Sequence, residues 1–178
     1  MNRRNLFNFS TLELAIRIFT AFFVSIYGLA KPLQFSGGAS VNEHVPLSEL
    51  SGMQLMWAFF GYTLTYPILI GIIQFAGSVM LVFERTKLIA SLLLTPVFMN
   101  IILLDILYDV NKGALFNAVI FQMVFIFIIV QQRKKVAQMV STLMLDNFKF
   151  ENKGERILKF VIASILGAIL FFTYQFFQ

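Results

Sequence analysis

The sequence predicts an all-α fold, a polytopic transmembrane helix bundle. Three observations carry that expectation. Of 178 residues, 58% are hydrophobic and only 13% charged, about half the charge of an ordinary soluble domain, and the mean hydropathy is +0.80. The apolar residues fall in runs of about 20, the length a helix needs to cross the hydrocarbon of a bilayer. The charged residues fall mainly between those runs. With 22 Phe against 9 acidic residues, such a chain is solvated by lipid tails rather than water.

The first span is expected over residues 11–30 and stops at Lys31-Pro32, because proline disfavours helix at the residue before it. Asn2-Arg3-Arg4 ahead of this run and Gly28-Leu29-Ala30 at its end resemble a signal peptide. The run is long for a signal core, so it is expected to be retained. Residues 34–51 are polar and turn-rich and predict a surface loop. From Met53 to Phe83 the chain is too long and apolar for one span, with natural breaks at Gly61 and Pro67. A short interfacial helix over 51–60, with Trp57 at headgroup level, and a second span over 63–83 account for it. Glu84-Arg85-Thr86-Lys87 forms a polar turn before the third span, 88–108. Asn111-Lys112-Gly113 forms another before the fourth, 114–130. These four spans form a core domain over 1–131. Residues 132–156 form a cytoplasmic interfacial segment, in which Val136, Met139, Val140 and Leu143 repeat at helical spacing. That stripe belongs either to a helix on the interface or to an extension of the fourth span. A fifth span closes the chain over 157–178.

Counting Lys and Arg near the span ends sets orientation. Arg3, Arg4, Arg85, Lys87, Arg133, Lys134, Lys135, Lys149, Lys153, Arg156 and Lys159 lie on one side, against Lys31 and Lys112 on the other. The N-terminus is therefore expected in the cytoplasm and the C-terminus outside. The same clustering argues against nucleic acid as a partner, since no basic stripe or recognisable module accompanies the net charge of +5. The absence of cysteine excludes disulfides, thiolate metal sites and iron–sulfur ligation by this chain. The single histidine, His44, excludes a bis-histidine haem within one chain and makes a poor zinc site, which wants three or four ligands. No metal site and no catalytic residue are expected.

Polar groups inside apolar spans are costly and usually face partners. Glu13 and Arg17, one turn apart, form an expected inner ion pair. Pro67, Gly71, Gln74 and Ser78 share a face, with Gln74 near mid-bilayer. Ser91, Thr95, Asp105 and Asp109 share a stripe on the third span. Pro96 is expected to kink that span, with Asn100 one turn beyond, and Asn117 begins the fourth. Together Arg17, Lys31, Gln74, Asn100, Asp105 and Asp109 define a candidate polar chamber. The alternative is a set of surface ion pairs at the membrane boundary. Gly71 and Gly77, with Ala163 and Gly167 on the fifth span, mark close-packing faces.

From Arg17 to about Val130 the order of features resembles the DoxX-like family of small four-helix membrane proteins. The resemblance rests on Arg17 and Gly28-Leu29-Ala30-Lys31 in the first span. It continues in Gly71, Gln74, Gly77 and Leu81 before Arg85-Thr86, and in Ala90. Gln74 stands where an acidic residue is common in that family. The resemblance implies a bacterial inner-membrane protein with a four-helix core. Some relatives are associated with quinone-linked sulfur oxidation or oxidative-stress complexes, so a quinone and partner redox subunits are the ligand and partners it implies. Three functions follow as expectations: an accessory, redox-linked membrane subunit; a carrier for a small solute or proton; or a scaffold that forms a homo-oligomer through its fifth span.

Overall fold

The computed structural model describes residues 9–36, 45–145 and 152–176. The expectations placed on Arg3, Arg4, His44 and Lys149, and residues 37–44 of the 34–51 loop, lie outside the described residues. Among the described residues every regular element is helical: α1 (Phe9–Phe35), a short 3-10 turn (Leu47–Glu49), α2 (Gly52–Gly61), α3 (Thr65–Val82), α4 (Lys87–Leu107), α5 (Lys112–Gln131), α6 (Arg133–Leu145) and α7 (Lys153–Phe176). Four of them, α1, α3, α4 and α5, are long and apolar enough to cross a membrane. The chain divides into two compact units, residues 1–133 and 134–178.

In the first unit α1 packs on α3, α3 on α4, α4 on α5, and α5 closes back on α1. The interior is a column of aromatic and branched residues. Phe98 meets Phe121 and Phe125 edge-on at 5.9 and 5.3 Å between ring centroids, and Val24, Leu81, Leu94 and Ile128 are fully buried around them. The outward faces of the same helices expose Phe19, Phe22, Leu29, Ile72, Ile106, Phe116 and Met123. Water would not tolerate so continuous an apolar surface, whereas lipid solvates it.

The first span departs from expectation at its end: α1 runs on through Pro32 to Phe35 instead of stopping at Ala30. Proline withholds one N–H from the carbonyl four residues earlier, that of Gly28. That carbonyl faces Gly71 of α3 so closely that a Cβ on Gly71 would collide with it, and a Cβ on Gly28 would sit 2.8 Å from the Gly71 oxygen. The two glycines thus bring the helix backbones together where the proline has freed an acceptor, a geometry suited to weak Cα–H···O contacts. Beyond Pro32, Phe35 packs on Trp57 and Phe60 at 5.2 and 4.8 Å between centroids. Burying a phenylalanine contributes roughly 1.5–3 kcal/mol, enough to offset most of the cost of an internal proline.

The turns also differ in detail. Lys87 is the first residue of α4, and Lys112 and Gly113 begin α5, so both are helical rather than turn residues. α4 ends in a Schellman cap. The Val110 N–H reaches back to the Asp105 carbonyl at 3.3 Å while Asp109 adopts a left-handed φ of 46°. Asn111 then caps α5 by accepting from the Ala114 N–H at 2.9 Å. α2 begins with a reciprocal capping box between Ser51 and Gln54. Its Gly52 lies against the Tyr108 backbone, with no room for a Cβ.

In the second unit α6 is a helix of its own. The Gln132 N–H closes α5 onto the Ile128 and Ile129 carbonyls before α6 starts. Met139, Val140 and Leu143 of the predicted stripe are exposed on it, and α7 exposes Ile157, Leu158, Phe160, Ile165 and Leu166.

Candidate functional site: a cavity and an ionic knot

Two polar assemblies occupy opposite ends of the four-helix core. The first ties the ends that carry most of the basic residues. Glu13 on α1 is its centre, 8% exposed. It accepts from Lys87 Nζ at 2.6 Å and from Gln131 Nε2 at 2.9 Å, and Arg17 Nε faces it at 3.5 Å without hydrogen-bond geometry. Glu84, in the α3–α4 turn, accepts from Arg17 Nη2 at 2.8 Å and pairs with Lys87 at 2.6 Å. Arg17 Nη1 also reaches the Leu81 and Val82 carbonyls at 3.4 and 3.3 Å, placing a cation on the negative end of α3. Two carboxylates and two cations balance. All four spans contribute, so the knot fixes their register at one membrane boundary.

The second assembly is a cavity of about 410 Å³ at the other end. Its walls come from Tyr27 and Lys31 of α1, Trp57 of α2, Gln74 of α3, and Phe98 and Asp105 of α4, with the start of α5 completing them. The size suits a small ligand. Gln74 is fully buried, and neither its amide nitrogen nor its amide oxygen has a hydrogen-bond partner. Asp105 Oδ2 is also buried without a partner. Lys31 makes only a 3.5 Å contact with Gln34 and lies 5.4 Å from the Phe35 ring. Among the described residues it makes no ion pair with Asp105, although both line the cavity. Tyr27 accepts from Asn117 Nδ2 at 3.0 Å, which leaves its own O–H free to donate. The cavity therefore offers an ammonium, a carboxylate, a primary amide and a phenol within largely apolar walls.

The six residues of the expected chamber do not all converge. Lys31, Gln74 and Asp105 share the cavity. Asn100 lines a neighbouring crevice instead. Arg17 belongs to the ionic knot: it precedes Lys31 by 14 residues on one helix, a rise of about 21 Å. Asp109 lies beyond the end of α4, exposed and with a left-handed φ, and does not line the cavity. Gly71 and Gly77 are buried between helices, Gly77 against Leu94. Ala163 is exposed, and a Cβ on Gly167 would meet nothing within 4 Å.

Lys87 and Gln131 were not anticipated as partners of Glu13, nor Glu84 as a partner of Arg17 and Lys87. Lys87 had been counted as a boundary charge, yet it is 3% exposed. Gln122 was also missed. It is 5% exposed, and both side-chain amide atoms lack partners; an amide in the middle of the apolar run 114–130 was the available signal. No group of three or more His, Cys, Asp or Glu side chains able to hold a metal occurs among the described residues.

Comparison with known proteins adds little chemistry. No family's sequence profile matches the chain, and no solved structure matches it. The chain is similar to an uncharacterized protein of Bacillus subtilis (strain 168), YwoB, at 27% identity over 124 residues, covering 70% of this chain and 79% of that protein.

Proposed function

We propose that the chain is a DoxX-like accessory subunit of the bacterial inner membrane, without a catalytic site of its own, whose cavity holds a small ligand, a quinone headgroup. The observation that carries this reading is Gln74. A buried amide with both ends unpaired costs about 1–3 kcal/mol for each unsatisfied group, and natural cores rarely keep such a group unless something fills its need. A quinone ring fits the aromatic walls, and its two carbonyls match the donors of Gln74, Tyr27 and Lys31. In this reading α7 is a fifth span, its N-terminal end on the basic, cytoplasmic side. The redox chemistry belongs to partner subunits.

Trp57 is the single tryptophan of the chain and lines the cavity, so its fluorescence reports occupancy directly. Titrating the purified protein with a short quinone is expected to quench Trp57 saturably, and Gln74→Leu is expected to weaken that binding. Linear, non-saturating quenching, identical in both proteins, refutes the reading. A second reading, a carrier for a small solute or proton, draws on the opposite charges of Lys31 and Asp105 facing one cavity. It predicts flux in proteoliposomes that Asp105→Asn abolishes.

A further inference from the structure

Beside the cavity lies a second hollow, a crevice of about 240 Å³ between α3 and α4. Phe60, Tyr66 and Ile70 line one side, and Pro96, Val97, Asn100 and Leu104 the other. Lys31 and Ile101 line both hollows, so two side chains form a wall common to them. From Leu104 to Pro96 the crevice runs eight residues along α4, about 12 Å. It thus extends from the outer end of the span to Val97, ten residues from either end of the helix, near the centre of the hydrocarbon. An aqueous solute has no use for an apolar channel at that depth.

We infer that the ligand enters the cavity sideways from the bilayer, its polar head against Gln74 and its apolar tail lying in the α3–α4 crevice; this rests on the reading of the cavity as a ligand site. The route follows from what each wall would cost to move. The roof, α2, is held by the stack of Phe35 on Trp57 and Phe60 and by the contact of Gly52 with the Tyr108 backbone. Lifting it breaks both. The wall toward the crevice includes the Lys31 side chain, a flexible stem whose ammonium makes a long contact to Gln34, lies near the Phe35 ring and is attracted by Asp105 from beyond ion-pair distance. Swinging that stem aside breaks no ion pair. The ligand class is therefore an amphiphile with one small polar head and one tail, not a free solute.

The test uses two quinones with the same head, one without a tail and one with a ten-carbon tail, and the full chain in phosphatidylcholine nanodiscs. Filling the crevice with Val97→Phe or Ile70→Phe is expected to weaken the tailed probe by about tenfold or more, read as Trp57 quenching, and to leave the tailless probe unchanged. Because wild type and variants meet the same lipid concentration of probe, partitioning cancels. A tailed probe carrying a diazirine at its tail end is expected to label α3 and α4 residues of the crevice in the wild-type protein. Equal response of both probes to the variants, or labelling on α2 instead, overturns the lateral route while leaving the cavity intact. If neither probe quenches wild-type Trp57, the ligand reading itself falls, and the route with it.

Discussion

Glu13 and Glu84 contact the same two cations, so replacing each by glutamine separates burial from pairing. Glu13 is 9% exposed at its side chain and Glu84 68%. Removing one partner from a buried pair typically costs 3–5 kcal/mol, because the remaining charge is stranded. In Glu13→Gln, Lys87 and Arg17 keep Glu84, so the lower end applies, about 3 kcal/mol. In Glu84→Gln the lost carboxylate is mostly in solvent, where such pairs contribute about 0–1 kcal/mol; Lys87 keeps Glu13, and Arg17 keeps the Leu81 and Val82 carbonyls. For a chain of this size each kcal/mol moves the midpoint by roughly 2–4 °C. Thermal unfolding in detergent, followed at Trp57, should then fall by about 6–12 °C for Glu13→Gln and by no more than about 4 °C for Glu84→Gln. Raising salt should shrink the second effect and spare the first. Equal shifts for the two variants would refute the assignment of Glu13 as the buried centre of the knot.

Three further perturbations address other contacts. Gly28→Ala puts a Cβ 2.8 Å from a backbone oxygen that cannot swing away, so α1 and α3 must part by about 0.6 Å to restore ordinary contact; overpacking of this kind costs about 1–3 kcal/mol, and a midpoint no lower than wild type in thermal unfolding would count against the close approach. Gln74→Leu removes an unsatisfied buried amide and is expected to raise the midpoint of the ligand-free protein by about 1–3 kcal/mol equivalent while weakening the saturable quenching of Trp57; loss of stability would mean the amide has a partner. Asp109→Gly relieves a left-handed φ of 46° and should stabilise by about 0.5–1 kcal/mol, seen as a higher midpoint, whereas Asp109→Val should lower it.

The helices at the centre of the chain were legible because their signal is local. Apolar runs bounded by Glu84-Arg85-Thr86 and by Asn111 place α3, α4 and α5 within a few residues of where they form. The end of α1 was not legible, since the rule against helix before proline weighs only the local clash of the ring with the preceding residue. It does not see Gly71 meeting the freed carbonyl, or Phe35 burying its ring beyond it. The site divides along the same line. Lys31, Gln74 and Asp105 could be grouped because helix rise puts them toward one end of the bundle. That same rise separates Arg17 from Lys31, so the grouping by face alone placed Arg17 at the wrong end. Lys87 and Gln131 pair with Glu13 across 74 and 118 residues, and no spacing within a helix announces such partners. Asp109 sat on the right stripe only as long as α4 was taken to continue, and the Schellman cap ends it first.

The proposed orientation of the bundle, which puts the knot on the cytoplasmic boundary and the cavity toward the outside, is tested most directly by labelling from each side of the membrane. The chain has no cysteine, so a single one introduced at Arg85 or at Lys112, both exposed, gives an unambiguous signal with a membrane-impermeant maleimide. Lys112→Cys is expected to react in intact cells, and Arg85→Cys only after the membrane is opened. Reaction of both from the same side, or the reverse order, would contradict the account.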